Sequence, residues 1–124
     1  MTISIVLPAK NEAEGLQRTL PALRAAYPDA EIIVVDDGST DETARVAANA
    51  GATVLSSPYA MGNGAAIKRG ARAARGDVLV FMDADGQHSA EHIAALLAKL
   101  EQEGYDMVVG ARDRSGQANL HRGL

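Results

Sequence analysis

The apolar residues of this chain come in short unbroken runs separated by longer stretches with helical spacing. Ile3-Ser4-Ile5-Val6-Leu7 predicts a first strand, stopped by Pro8. From Glu14 to Tyr27, residues Leu16, Leu20 and Leu23 share one face of a predicted helix, with Asn11 as its cap and Pro28 closing the segment. A second strand covers Glu31 to Val35. Ser39-Thr40-Asp41-Glu42 has the spacing of a capping box and opens a helix through Ala50, which Gly51 ends. Thr53 to Ser56 is a short third strand. A third helix starts at Asn63 or Gly64 and ends before Gly76, and a fourth strand spans Val78 to Met82. Ser89 caps a fourth helix, in which Ile93, Leu96, Leu97 and Leu100 fall on one face and Gly104 marks the end. Met107-Val108-Val109 is a fifth strand, and the polar tail from Ala111 to Leu124 reads as loop.

Strand and helix therefore alternate as repeated βα units. The strands are continuously apolar rather than alternating with polar residues, the pattern of a parallel sheet covered on both faces. Right-handed crossovers wind such units into a three-layer α/β fold, a doubly wound and mostly parallel sheet with about five strands and four helices. Ligands of these sheets sit at the carboxyl ends of the strands. Two acidic clusters lie there: Asp36-Asp37-Gly38-Ser39 after the second strand and Asp83-Ala84-Asp85-Gly86-Gln87 after the fourth.

Composition narrows the function. A chain of 124 residues suits one domain, residues 1–124, with one core and no need of staples. The net charge is −4 with no basic block longer than a pair, which argues against nucleic-acid binding by phosphate neutralisation. Cysteine is absent, so there is no disulfide framework and no thiolate metal site. Tryptophan is absent and aromatics are 3% of residues, which argues against a stacking platform. No apolar run approaches the ~20 residues that cross a bilayer. The first residues show no signal-peptide pattern. The location expected is the cytoplasm or the cytoplasmic face of a membrane.

Asp83 and Asp85, two apart at a strand end, can point the same way. With Gln87 they offer hard oxygen donors that suit Mg²⁺ or Mn²⁺ over Zn²⁺, and such a cation would bridge the phosphates of a nucleotide diphosphate. The same residues also suit a turn and helix cap. An acid ending the second strand, Asp36 or Asp37, is placed to bind a ribose hydroxyl or a base N–H, while Ser39 and Asp41 cap the next helix. Met61-Gly62-Asn63-Gly64 fails as a phosphate loop, because Ile67 rather than glycine precedes Lys68. His88-Ser89-Ala90-Glu91-His92 has the H-x-x-E-H string of a zinc peptidase class, but Ser89 as a cap would split its histidines and no third ligand follows.

Four segments in order, Ile5 to Glu12, Val34 to Asp41, Gly62 to Ala66 and Phe81 to His88, resemble the inverting family 2 glycosyltransferases, whose fold is the GT-A type of nucleotide-diphospho-sugar transferases. Gln87-His88 is most similar to the branch that transfers mannose or glucose to polyprenyl (dolichol) phosphate; that branch often has a larger residue at Gly86 and prolines at Ser89 and Ala90. The resemblance implies that Pro8, Ala9 and Glu12 line the nucleotide pocket, and that Asp37, with Asp36, recognises the base. It implies that Asp83, with Ala84 beside it, lies nearest the ribose and phosphate. Asp85 and Gln87 become metal ligands, Asp85 the catalytic one, and Arg112 sits close to the diphosphate.

The activity implied is metal-dependent binding of a GDP- or UDP-sugar and inverting transfer to an acceptor, a polyprenyl phosphate in that branch. Members of the family continue beyond this length, so the expectation here is the donor half without the acceptor half. The alternatives are a nucleotide- and metal-binding module without turnover and, more remotely, a sugar-phosphate nucleotidyltransferase. The latter expects a basic, glycine-rich loop where Lys10-Asn11-Glu12-Ala13-Glu14 stands.

Overall fold

The apolar runs pair side by side in one six-stranded sheet of order β3-β2-β1-β4-β5-β6. The elements are β1 (Ile3–Ala9), α1 (Ala13–Ala26), β2 (Glu31–Asp37), α2 (Thr43–Asn49), β3 (Thr53–Ser57), α3 (Asn63–Ala73), β4 (Val78–Phe81), β5 (Met107–Gly110) and β6 (Ala118–His121). The structure is a computed structural model and describes residues 2–82, 84, 94–95, 98, 107–110 and 118–121. Strands β1 to β5 are parallel, and β6 runs antiparallel against β5. Residues 94, 95 and 98 are helical, within the span expected for a fourth helix.

Successive strand residues point to opposite faces, and both faces are buried. Ile5, Leu7, Ile32, Val34 and Val80 pack with Leu16, Leu20 and Leu23 of α1 and Ala47 of α2. Val6, Ile33, Val35 and Phe81 pack with Ala66 of α3 on the other face. This is why the strands read as continuous apolar runs. The three α1 leucines are at most 1% exposed, and each such side chain contributes roughly 1.5–3 kcal/mol of burial. Helix α3 comes closest to the sheet at Gly70, where an added Cβ would lie 2.3 Å from Val6 Cγ1.

The sheet corrects several boundaries. Pro8 does not stop β1; the strand runs on to Ala9, with Pro8 opposite Val35 and Ala9 opposite Asp36. The Val6 carbonyl accepts the Met82 N–H at 3.1 Å, so alternation turns the nitrogen of Pro8 to the β4 side, and pairing with β2 is not interrupted. Asp36 and Asp37 lie within β2 rather than after it. The tail is not all loop, since residues 118–121 form β6. Helix α2 begins at Thr43, later than the capping-box spacing suggests.

Candidate functional site

The order 3-2-1-4-5 reverses direction between β1 and β4, and in sheets of this kind ligands bind at the carboxyl ends of the strands beside that reversal. The end of β1 lies beside the first acidic segment and next to the strand that leads to the second. On one side Ala9 is opposite Asp36. On the other, Val6 is opposite Phe81, and the chain continues through Met82 towards the second cluster. Strands β2 and β4 flank β1, so the two run roughly 10 Å apart. Ala84 is fully buried and its carbonyl accepts the Thr19 hydroxyl at 3.0 Å, which fastens this segment to α1.

The loops after β1 and β2 are tied into one unit. Asn11 has a positive φ of 53°, a conformation asparagine tolerates better than most residues. Its side-chain Oδ1 accepts the Thr40 N–H at 2.8 Å, the Thr40 hydroxyl at 3.2 Å and the Asp41 N–H at 3.3 Å. Its own N–H donates to Ser39 Oγ at 2.9 Å. The Glu12 N–H donates to Thr43 Oγ1 at 2.9 Å, and the Ala13 N–H to Asp41 Oδ2 at 3.3 Å. Asn11 is thus a brace between loops rather than the cap of α1, and Ser39 serves the same joint rather than capping α2. The N-cap position of α2 is Glu42, not Asp41; Asp41, one residue earlier, accepts the Thr43 N–H at 2.9 Å and the Thr43 hydroxyl. The Thr43 hydroxyl is the main reason its carboxyl lies below the usual value; partial desolvation opposes this, and backbone N–H groups add to it.

Asp36 and Asp37 are 7% and 9% exposed and, as neighbours in a strand, serve opposite faces. Asp36 accepts the Ser39 N–H at 3.0 Å and the Ser56 hydroxyl at 3.5 Å. Asp37 accepts the Met61 N–H at 2.7 Å and the Gly62 N–H at 3.0 Å, one on each oxygen, and so holds the loop before α3. Gly38 makes this closeness possible: its φ is +72°, and a Cβ there would lie 2.4 Å from the Ala60 nitrogen. These bonds offset the cost of burying two carboxylates.

Of the residues singled out from the sequence, Pro8, Ala9, Glu12, Asp36 and Asp37 come together around the ends of β1 and β2, with Ala84 buried beyond β4. Asp83, Asp85, Gln87 and Arg112 lie outside the described residues, and so does the H-x-x-E-H string. Among the described residues no group of three His, Cys, Asp or Glu side chains could hold a metal ion. The brace through Asn11 and Thr43 was missed by sequence reasoning. The local signal for it was an asparagine just before a helix, which reads equally well as a cap.

The sequence model of glycosyl transferase family 2 matches residues 4–124. The chain belongs to that family. It is 33% identical over 120 residues to Protein RfbJ of Shigella flexneri, covering 97% of this chain and 92% of that protein. It is 37% identical over 132 residues to the undecaprenyl-phosphate 4-deoxy-4-formamido-L-arabinose transferase of Proteus mirabilis, covering 97% of this chain but 39% of the relative. Among solved structures, glucosyl-3-phosphoglycerate synthase of Mycobacterium tuberculosis, in complex with Mn²⁺, uridine-diphosphate-glucose and phosphoglyceric acid, superposes with a TM-score of 0.74 at 32% identity; 94% of this family 2 chain and 45% of that chain are covered. The fold is accordingly that of the family's GT-A members. No helix among the described residues is long and apolar enough to cross a membrane.

Proposed function

We propose that residues 1–124 form the nucleotide-sugar-binding part of an inverting, metal-dependent family 2 glycosyltransferase. One observation carries this reading: the carboxyl end of β1 lies at the sheet's reversal point with Asp36-Asp37 on one flank and the approach to Asp83-Ala84-Asp85 on the other. Pro8 and Ala9 form the floor of the pocket and Glu12 its rim. Asp37 takes a base N–H, since each carboxylate oxygen has a second lone pair beyond the one given to the loop; Asp36 holds the adjoining turn. Asp83 lies against the ribose and phosphate, and Ala84, buried beside it, anchors the segment to α1 from beneath rather than touching the ligand as the resemblance implies.

The donor set Asp85 and Gln87, with Asp83 nearby, is entirely hard oxygen, which fits Mg²⁺ or Mn²⁺. When bound, the cation supplies positive charge to the departing diphosphate. Arg112 supplies a second, fixed positive charge there. The acceptor is a polyprenyl phosphate, whose oxygen is already anionic and attacks the anomeric carbon without a general base. The new C–O bond forms on the face opposite the departing nucleoside diphosphate, so the centre inverts. A relative that carries undecaprenyl phosphate in its name supports the acceptor class, and a relative in complex with Mn²⁺ and uridine-diphosphate-glucose supports cation and donor, UDP- over GDP-sugar. Membership in the family favours glycosyl over nucleotidyl transfer.

The test is a thermal-shift panel of UDP, GDP, CDP and ADP with and without Mn²⁺. A ligand at a hundred times its dissociation constant stabilises by about 2.7 kcal/mol. UDP with Mn²⁺ should give the largest shift. Asp85→Ala should remove the Mn²⁺-dependent part, and Asp37→Ala should weaken binding with or without Mn²⁺. No shift with any nucleotide would refute the reading. A transfer assay then separates turnover from a module that only holds nucleotide and metal.

A further inference from the structure

Charge is distributed unevenly over the fold. Between Glu42 and Asp77 the chain has no acidic residue, although its net charge is −4. That stretch contains α3, where Lys68, Arg69 and Arg72, with Arg75 just beyond, are concentrated. Lys68, Arg72 and Arg75 are exposed; Lys68 and Arg72, at i and i+4, share one face of α3, opposite the buried Ala66 and Gly70, and Arg75 follows the extended C-cap Ala74. Arg69 leans to the sheet edge and donates to the Ser56 carbonyl and Ser57 Oγ. No ion pair neutralises these cations among the described residues, where the pairs present are Arg18–Glu14 and Arg45–Glu42. Beyond α3, Glu31 Oε1 accepts the Arg75 backbone N–H.

A second feature adjoins the first. Tyr59 and Met61 are the large apolar side chains left exposed among the described residues, at 66% and 52%. They sit on the loop that leads into α3, which Asp37 grips at Met61 and Gly62. An apolar tip followed by a solvent-facing row of cations, on a helix whose other side is fixed to a sheet, is the chemistry of an interfacial contact with lipid.

We propose that the outer face of α3, led by Tyr59 and Met61, is a docking surface for an anionic lipid bilayer. The cations meet anionic headgroups while Tyr59 and Met61 enter the headgroup–acyl boundary. Because α3 begins at the edge where the strands end, docking there sets the carboxyl ends of the strands beside the membrane, where a lipid phosphate would be presented. The surface is read from charge and exposure alone and stands whether or not the nucleotide assignment does. A nucleic acid would be drawn by the cations but would gain nothing specific from Met61.

The test is sedimentation of the 124-residue chain, without nucleotide, with vesicles of phosphatidylcholine alone or mixed with phosphatidylglycerol. Binding is expected to the mixed vesicles, and to fall when salt shortens the Debye length to about 3 Å. Lys68→Gln with Arg72→Gln should lower the partition coefficient roughly 25-fold, taking about a factor of five per cation. Arg18→Gln with Arg45→Gln, the same change of charge on the opposite helical layer, should leave it within about twofold. Tyr59→Ser with Met61→Ser should lower it by about tenfold or more. All these side chains are exposed, and circular dichroism confirms that each variant is folded. Equal binding to both vesicle types, no binding, or equal loss in the two charge variants would overturn the proposal. So would stoichiometric capture of an oligouridylate that is indifferent to Tyr59→Ser and Met61→Ser.

Discussion

Replacing Asn11 by alanine removes the acceptor that joins two loops and places a Cβ-bearing, non-bonding residue at a positive φ. Three donors lose their partner: the Thr40 N–H, the Thr40 hydroxyl and the Asp41 N–H. The joint is exposed, so each bond is taken at the low end of its range, about 0.5 kcal/mol, or ~1.5 kcal/mol together. Alanine at φ 53° adds about 1 kcal/mol of backbone strain. The expected loss is about 2.5 kcal/mol, a fall in Tm of about 10 °C for a domain of this size. Two further variants separate the terms. Asn11→Asp retains the acceptor and the tolerance of this φ, and should stay within about 0.5 kcal/mol of the parent. Asn11→Gly accepts the φ but not the donors and should fall between, about 1.5 kcal/mol down. Urea unfolding of the four proteins gives the order directly. Equal stability of the alanine variant and the parent, or a glycine variant as stable as the parent, would show that the brace contributes nothing.

Asp41, whose carboxyl is held low chiefly by the Thr43 hydroxyl, supplies a stabilisation that is complete above the carboxyl's unfolded value near 3.8 and fades as pH falls through the lower folded value. Because Asp41 is exposed, the effect is below about 1 kcal/mol. Urea midpoints from neutral to acid pH should show a flatter acid limb for Asp41→Asn than for the parent, and identical limbs would refute the assignment. Gly70→Ala drives a methyl group to 2.3 Å from Val6 Cγ1 and should cost about 1–3 kcal/mol. Val6→Ala opens the needed space, so the double variant should be more stable than the sum of the single losses by more than ~0.5 kcal/mol, and strict additivity would mean that α3 shifts as a body instead.

The strands and the alternation were legible because burial on both faces demands continuous apolar runs, and nothing else in a chain this short produces five of them. Pro8 misled because a proline usually ends pairing; here its nitrogen turns to the side where β4 has already stopped accepting it. Ala118-Asn119-Leu120-His121 carries no strong strand pattern, and only its pairing with β5 makes it a strand. That Asp36-Asp37 lie at the carboxyl edge of the sheet was legible because that edge is fixed by topology, while Asp83 and Asp85 lie outside the described residues. What each polar side chain there grips was not legible. Asn11 bonds to residues 28–30 positions away, and Asp37 to residues 24 and 25 away. No local rule of capping or turn formation reaches across those distances.

The double duty proposed for Asp37 determines how its substitution must be read. Its two oxygens each hold a backbone N–H of the loop before α3, and charge-assisted bonds of this kind contribute about 1.5–3 kcal/mol each to a buried site. Asp37→Ala therefore releases Met61 and Gly62 as well as removing the proposed acceptor for the base, and lower stability without nucleotide is expected in either case. The discriminating quantity is the shift that UDP produces relative to each protein's own unliganded Tm. If Asp37 only anchors the loop, saturating UDP restores the loop and the variant's shift equals or exceeds the parent's. If Asp37 also accepts the base N–H, the shift stays smaller at every concentration, because no other carboxylate at the end of β2 serves that face: Asp36, the adjacent residue, points to the opposite side of the sheet.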